Sequence, residues 1–294
     1  MIPKGRIYGV GLGPGATDLL SVRADKLVRE ARHIAFFRKA GRAGHARQIV
    51  SSLLSEDVIE FAMEYPITTE IPLSDPRYNE ILSDFYTKCC AHISSLSLAG
   101  EDVIILCEGD PFFYGSFMHI YRRVKDTLPV EVVPAITGMS AAWTATNIPI
   151  SWGDDILTIL MGTLDAAILE NQLRDTNAAV IMKIGRNLPK IKQALKITGR
   201  LEDAFIVEYA AMAEQKVQPL STIKLKTRLI FPLSFYMDKE GGHEWKSDCG
   251  WPWRWRSCTN NTAGNTSDKS CNRYNRLYSL YRQNYTQTRR YVAS

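Results

Sequence analysis

The chain has 294 residues, 45% hydrophobic, 23% charged and 10% aromatic, a composition that supports a sizeable core in one large or two modest domains and excludes a disordered polymer. Its formal net charge of +5 is not spread evenly, because residues 234–294 hold ten Lys or Arg against five Asp or Glu and leave 26 of each sign in residues 1–233. A neutral body gives no case for a nucleic-acid partner. No run approaches the roughly 20 apolar residues of a membrane span, and the N-terminus reaches Gly-Pro-Gly too early for a secretory h-region. A soluble, cytoplasmic protein with no membrane partner is expected. The six Cys form no C-x-x-C pair, so neither a metal site nor a disulfide framework is expected.

In chain order, short apolar runs alternate with longer amphipathic stretches, the pattern of an α/β fold. Strands are expected at 6–10, 33–37, 57–62, 102–107 and 130–133. Helices are expected at 21–32, where Ala24, Leu27, Val28 and Ala31 share a face, and at 44–54, 75–98 and 115–125. The Asn147-Ile148-Pro149 link disfavours helix. Beyond it, strands at 156–161, 178–182 and 204–207 and helices at 165–173 and 188–197 suggest a second, smaller α/β domain. Expected boundaries are therefore 1–148, 149–233 and an atypical segment 234–294. Two domains imply a cleft, a preferred place for ligands.

Residues 234–294 contain no Ile, only Leu277, Leu280 and Val292 among Leu and Val, and four of the six Trp. Such a segment lacks the aliphatic periodicity of a strand or helix. It reads as a disordered tail or, as a hypothesis, as a frameshifted reading of an adjoining gene. Permitted codons for residues 243–253, shifted by one base, give Met-Ser-Gly-Lys-Val-Ile-Val-Val-Gly-Pro-Gly, a start followed by a strand and turn much like residues 5–15. The encoding DNA decides this: an uninterrupted frame through 225–233, shared with related genes, would sink it.

Three strand-loop-helix turns carry unusual residues. In Val10-Gly11-Leu12-Gly13-Pro14-Gly15 the third Gly comes one residue early for a dinucleotide fingerprint, and Pro14 lacks a backbone donor. The turn instead offers a backbone that a bulky ligand can approach, or is an ordinary strand-to-helix turn. The run Val103–Ser116 places Glu108 and Asp110 at a sheet's carboxyl edge, where open α/β folds bind ligands. Asp110 could alternatively cap the following helix. In Val132–Ala142, Thr137 and Gly138 sit at a helix start, where Thr137 or Ser140 is more often a cap than a ligand contact. The three turns converge if their strands are parallel neighbours. The basic run Arg38–Arg47 reads as a solvated loop or as a seat for substrate carboxylates. No H-E-x-x-H, G-x-S-x-G or P-loop pattern competes.

Gly11-x-Gly13-Pro14-Gly15, Glu108-Gly109-Asp110-Pro111 with Tyr114-Gly115, and Val133-Pro134-Ala135-Ile136-Thr137 stand in the order and spacing of the tetrapyrrole (corrin and porphyrin) methylases, which this chain resembles over residues 4–225. Segments 37–42, 65–70 and 181–186 are similar to the members that methylate precorrin-2 at C20 in cobalamin biosynthesis. The resemblance implies two α/β/α domains, a homodimer, and S-adenosylmethionine in the cleft between the domains. It places cofactor contacts on Pro14, Glu108, Gly109, Asp110, Phe113, Thr137, Gly138, Ile184 and Ala210. Asp110 is the first candidate for assisting the reaction, by electrostatics or by proton transfer. The tetrapyrrole would meet Gly13, Arg38, Lys39, Arg42 and Arg47. This chain departs from the family with Ala135 after Pro134 and with Gly138 where Ser or Thr is common. Alternatives are a cobalt-bearing substrate, C11 or C17 methylation, or an adenosylmethionine binder without catalysis.

Overall fold

The computed structural model describes residues 3–67 and 75–223, all within one compact unit. Five strands, β1 (Ile7–Gly11), β2 (His33–Lys39), β3 (Ile59–Tyr65), β4 (Val103–Cys107) and β5 (Val130–Val133), form a wholly parallel sheet in the order β3-β2-β4-β1-β5. Each return crossing needs a helix. These are α1 (Val22–Arg29), α2 (His45–Ile49), α3 (Pro76–Leu98) and α4 (Phe117–Val124).

Side-chain alternation in β4 sorts the helices into two layers. Val103, Ile105 and Cys107 face a core completed by α3 and α4, including Phe85, Ile93, Phe117 and Ile120. Ile104 and Leu106 face the opposite core, closed by α1 and α2 through Ala24, Val28, Ala46 and Ile49. Both faces of the sheet are thereby covered, which explains strands that read as continuous apolar runs. Local chemistry sets the helix starts. The Ser21 hydroxyl accepts the Ala24 N–H at 3.1 Å, and Asp75 accepts the Arg77 N–H at 3.0 Å with Pro76 in the first turn.

After α5 (Gly138–Ala145) come β6 (Leu157–Met161), α6 (Ala166–Arg174), β7 (Ala178–Met182), α7 (Leu188–Ile197), β8 (Phe205–Glu208) and β9 (Lys216–Pro219). β6 and β7 pair in parallel, whereas β8 and β9 form an antiparallel hairpin. Leu160, Leu169, Leu173, Ile181, Ile191 and Ile206 build a separate core here.

The expected elements are present with shifted ends, β2 and β3 running to Lys39 and Tyr65 and α1 ending at Arg29, and with two larger differences. The helix expected at 44–54 ends at Ile49, where Ser51 and Ser52 follow with hydroxyls that compete for the backbone. β9 was not expected, because Lys-Val-Gln-Pro offers a single apolar residue and no alternation. Expectations for residues 68–70 and 224–294, including the end of the second domain at 233, lie outside the described residues.

Gly9 lies in β1, between β4 and β5, with no room for a side chain. A Cβ there would stand 2.3 Å from Cζ of the fully buried Phe117. Gly9→Ala is expected to lower the unfolding free energy by about 1–3 kcal/mol. Part of the loss should return when Phe117→Leu is added. Urea unfolding of the single and double variants checks this.

Candidate functional site

β4, β1 and β5 are adjacent and parallel, so the loops that leave their carboxyl ends start side by side. This is the convergence the three turns required. The first loop is fastened to the second along the backbone: the Leu12 N–H donates to the Cys107 carbonyl at 2.9 Å, and the Gly109 N–H to the Gly13 carbonyl at 2.8 Å. The second is fastened to the third by Asp110. Its Oδ1 accepts the Phe112 N–H at 2.9 Å, and its Oδ2 accepts the Ala135 N–H at 3.0 Å.

The glycines show what this closeness demands. A Cβ on Gly11 would lie 2.6 Å from Cβ of Ala135 and 2.8 Å from the Gly109 carbonyl oxygen. The close approach foreseen at this turn is therefore made by the protein's own loops at that position. Gly13 and Gly109 have φ of +73° and +61°, a region that glycine enters without steric cost. Ala135 suits its place, because its short side chain already touches the space beside Gly11. Gly138 is different: a Cβ there would meet nothing within 4 Å, so the first turn of α5 stays open.

Asp110 does not cap α4. That helix starts seven residues later, at Phe117, and Asp110 instead organises its own turn and the neighbouring loop. Thr137 does act as a cap, its hydroxyl accepting the Ser140 N–H at 3.4 Å. Glu108 reaches solvent but is closely surrounded. Burial raises its carboxyl above the usual range, opposed by the nearby His45 and by the Ala46 N–H at the start of α2. Beside it, at the end of β3, burial raises the Tyr65 phenol, opposed by the pairing of its hydroxyl with that of Ser116.

Phe113 is half-buried in the second loop, with its ring edge-to-face against Tyr114 at 4.9 Å between centroids. Pro14, half-buried, stands between the two positive-φ glycines of the first loop. Ile184, just past β7, is fully buried in the second core, so its backbone rather than its side chain is available there. Ala210 lies between Tyr209 and Ala211, which have φ of +53° and +60°. Left-handed backbone at two non-glycine residues is costly and concentrates at functional loops. The same loop reaches the first one, since a Cβ on Gly15 would strike the Met212 side chain at 2.5 Å. A groove of about 450 Å³ is lined by Leu19, by Ile136, Ser140, Ala141 and Thr144 of the third loop and α5, and by Ala211 and Gln215 of the β8–β9 loop.

The basic residues are arranged differently from the expectation of open carboxylate seats. Arg38 donates from Nε to Glu64 at 2.8 Å, and Arg47 pairs with Glu60 at 2.7 Å, so both cations already face carboxylates of β3. Lys39 and Arg42 are exposed near the Gly41 turn. Tyr114 and Lys183, given no role from sequence, have unusual backbone in these loops. Both are non-glycine residues at φ +55°, which side-chain identity does not announce.

This geometry fits a ligand site shared by several loops at one sheet edge. The sequence profile of the Tetrapyrrole (Corrin/Porphyrin) Methylases matches residues 6–224, and the chain belongs to that family. It is 46% identical to a precorrin-2 C(20)-methyltransferase of Sinorhizobium sp over 217 residues, 74% of this chain and 89% of the relative. A cobalt-precorrin-2 C(20)-methyltransferase of Salmonella typhimurium is 24% identical over 71% of this chain and 85% of that protein. Among solved structures, a uroporphyrin-III C-methyl transferase from Thermus thermophilus complexed with S-adenyl homocysteine shares the fold. Its TM-score is 0.56 at 20% identity, over 80% of this chain and 92% of that one.

Two outcomes follow from the carboxylates. Asp110→Ala leaves two loop N–H groups without their acceptor and is expected to cost about 1–3 kcal/mol in urea unfolding; a loss below ~0.5 kcal/mol would deny the clamp. For Glu108, a carboxyl raised in the folded state contributes stability at low pH that is lost as pH rises through its folded value. Glu108→Gln, which keeps an acceptor for Ala46, should therefore raise the melting temperature more at pH 8 than at pH 4. Equal gains at both would contradict the sign.

Proposed function

We propose that this chain transfers a methyl group from S-adenosylmethionine to C20 of precorrin-2, a step of cobalamin biosynthesis. The observation that carries the reading is the meeting of the Gly-Pro-Gly, Glu-Gly-Asp-Pro and Pro-Ala-Ile-Thr loops at the β4-β1-β5 edge. It occurs in a chain 46% identical, over most of both lengths, to a precorrin-2 C(20)-methyltransferase. The Thermus relative solved with S-adenyl homocysteine supports the donor.

The residues present fit that donor. Ala141 and Ala211 line the groove of about 450 Å³, and Gly138, outside that lining, adds open backbone at the start of α5. The start of the eight-residue α5 favours a carboxylate. Glu108, whose negative charge is penalised by burial, gains from a cationic neighbour. When bound, the donor supplies an electrophilic methyl on a positively charged sulfur. Pro14, Glu108, Gly109, Asp110, Phe113, Thr137, Gly138, Ala210 and the backbone of Ile184 are the residues proposed to hold it. Phe112, Tyr114 and Ile136, exposed on the second and third loops, offer apolar surface to a macrocycle and help to exclude water.

An electron-rich meso carbon needs no activated side chain, so the protein's contribution is orientation. With both carboxylate oxygens accepting backbone N–H groups, Asp110 acts first by holding the loops in register, and any part in proton removal is secondary. Gly13, Arg38, Lys39, Arg42 and Arg47 remain the proposed substrate contacts, with the Glu64 and Glu60 pairs exchanged when a carboxylate arrives. Both pairs are partly exposed, and ion pairs near the surface contribute little net stability.

The division near residue 148, a homodimer and a cytoplasmic setting belong to the same proposal. The division is supported by a second core built wholly from residues after 148. The thiols of Cys89, Cys90 and Cys107 are free, as suits a reducing compartment. Light scattering on the purified chain tests the dimer.

The test of function is incubation with precorrin-2 and methyl-labelled donor, with cobalt-precorrin-2 run alongside. Label at C20 of the metal-free substrate is expected. Binding of S-adenosylhomocysteine without transfer to either substrate would reduce the chain to a binder. Asp110→Ala should lower turnover at least tenfold, and near-normal turnover would remove Asp110 from the reaction.

A further inference from the structure

Lys183 follows β7 and Tyr114 lies in the loop after β4, so they stand on loops that leave different sheets. Both are held at φ +55°, a conformation that non-glycine residues adopt at a cost. Their side chains meet: the Lys183 ammonium stands 5.9 Å from the centre of the Tyr114 ring, at the outer limit of a cation–π contact. The Tyr114 ring is 47% exposed, and Lys183 is exposed as well. Among the described residues no carboxylate pairs with this ammonium, whereas Arg38 and Arg47 stand against Glu64 and Glu60. An exposed aromatic face is a weak partner for a full positive charge. Left-handed backbone at both residues and a weak contact between them give this pairing little value for stability.

We propose that Lys183, steadied on the Tyr114 ring, is the carboxylate anchor of the site. This rests on the methyltransferase reading and extends it to a residue to which the resemblance gives no role. Its immediate neighbours in sequence are proposed donor contacts: Ile184 follows Lys183, and Phe113 precedes Tyr114. The ligand chemistry is a carboxylate with two possible sources, the amino-acid end of the donor or an acidic side chain of the tetrapyrrole. An ammonium beside a π face still has N–H donors to offer an anion, and here it can do so without first breaking an ion pair.

Calorimetric titration of the full chain distinguishes the sources. The probes are S-adenosylhomocysteine, 5′-methylthioadenosine (the same nucleoside without the amino-acid end) and an octacarboxylic porphyrin. Lys183→Met should weaken either S-adenosylhomocysteine or the porphyrin about tenfold, and Lys183→Arg should recover most of that loss. If the donor is the source, methylthioadenosine binding stays unchanged; if the tetrapyrrole is, both nucleosides bind as before. Lys183→Gly separates anchoring from a structural role, because glycine relieves the left-handed backbone. The inference expects a melting temperature equal to or above that of the wild type together with the same loss of affinity. Unchanged affinity for all probes in Lys183→Met, or a destabilised Lys183→Gly of normal affinity, overturns the inference and leaves the methyltransferase reading intact. A wild-type chain that binds none of the probes defeats that reading and this inference together.

Discussion

Asp110 bridging to Ala135, with the Gly13–Gly109 backbone pair beside it, is the constraint on which the rest of the site depends. Strand order alone brings three loops to one edge, but loops leaving parallel strands splay unless something fastens them. Here each fastening uses backbone groups that would otherwise face water, and one carboxylate serves two loops at once. The arrangement requires glycine at Gly11, where any side chain would push the first loop from the third. Fold and site are thus specified by the same few residues.

A second consequence concerns charge. Glu108 carries a carboxylate whose ionisation is disfavoured by its surroundings, with His45 and the Ala46 N–H as partial compensation. A site that tolerates an uncomfortable anion is matched to a ligand that brings a cation. The arginines pair with glutamates of β3 and keep the sheet's open edge near neutrality. Orientation and local charge at the loops, rather than a broad basic surface, are what this protein offers a ligand.

Much of this was legible in the sequence for a physical reason. Val103–Cys107 and Ala178–Met182 are buried on both faces, so their apolar runs announce strands. Gly-Pro-Gly and Glu-Gly-Asp-Pro interrupt such runs with residues that suit loops, and their placement after strands fixed the edge on which they lie. The role of Asp110 was only half legible: a carboxylate before Pro111 suggests a helix cap, and only the parallel neighbour β5 supplies the Ala135 N–H it takes instead. β9 was hidden because an exposed edge strand needs no apolar alternation. Tyr114, Lys183, Tyr209 and Ala211 were hidden because left-handed backbone at non-glycine residues is imposed by tertiary structure and leaves no mark in residue type.

The central claim is that loops from β1, β4, β5 and the β8–β9 connection form one ligand site. Amide hydrogen exchange with and without S-adenosylhomocysteine tests it most directly. The account predicts slowed exchange at 12–18, 108–116, 136–141 and 209–215 together, with the remote helix α3 unchanged. Protection confined to one of these loops, or appearing along α3 instead, would contradict it.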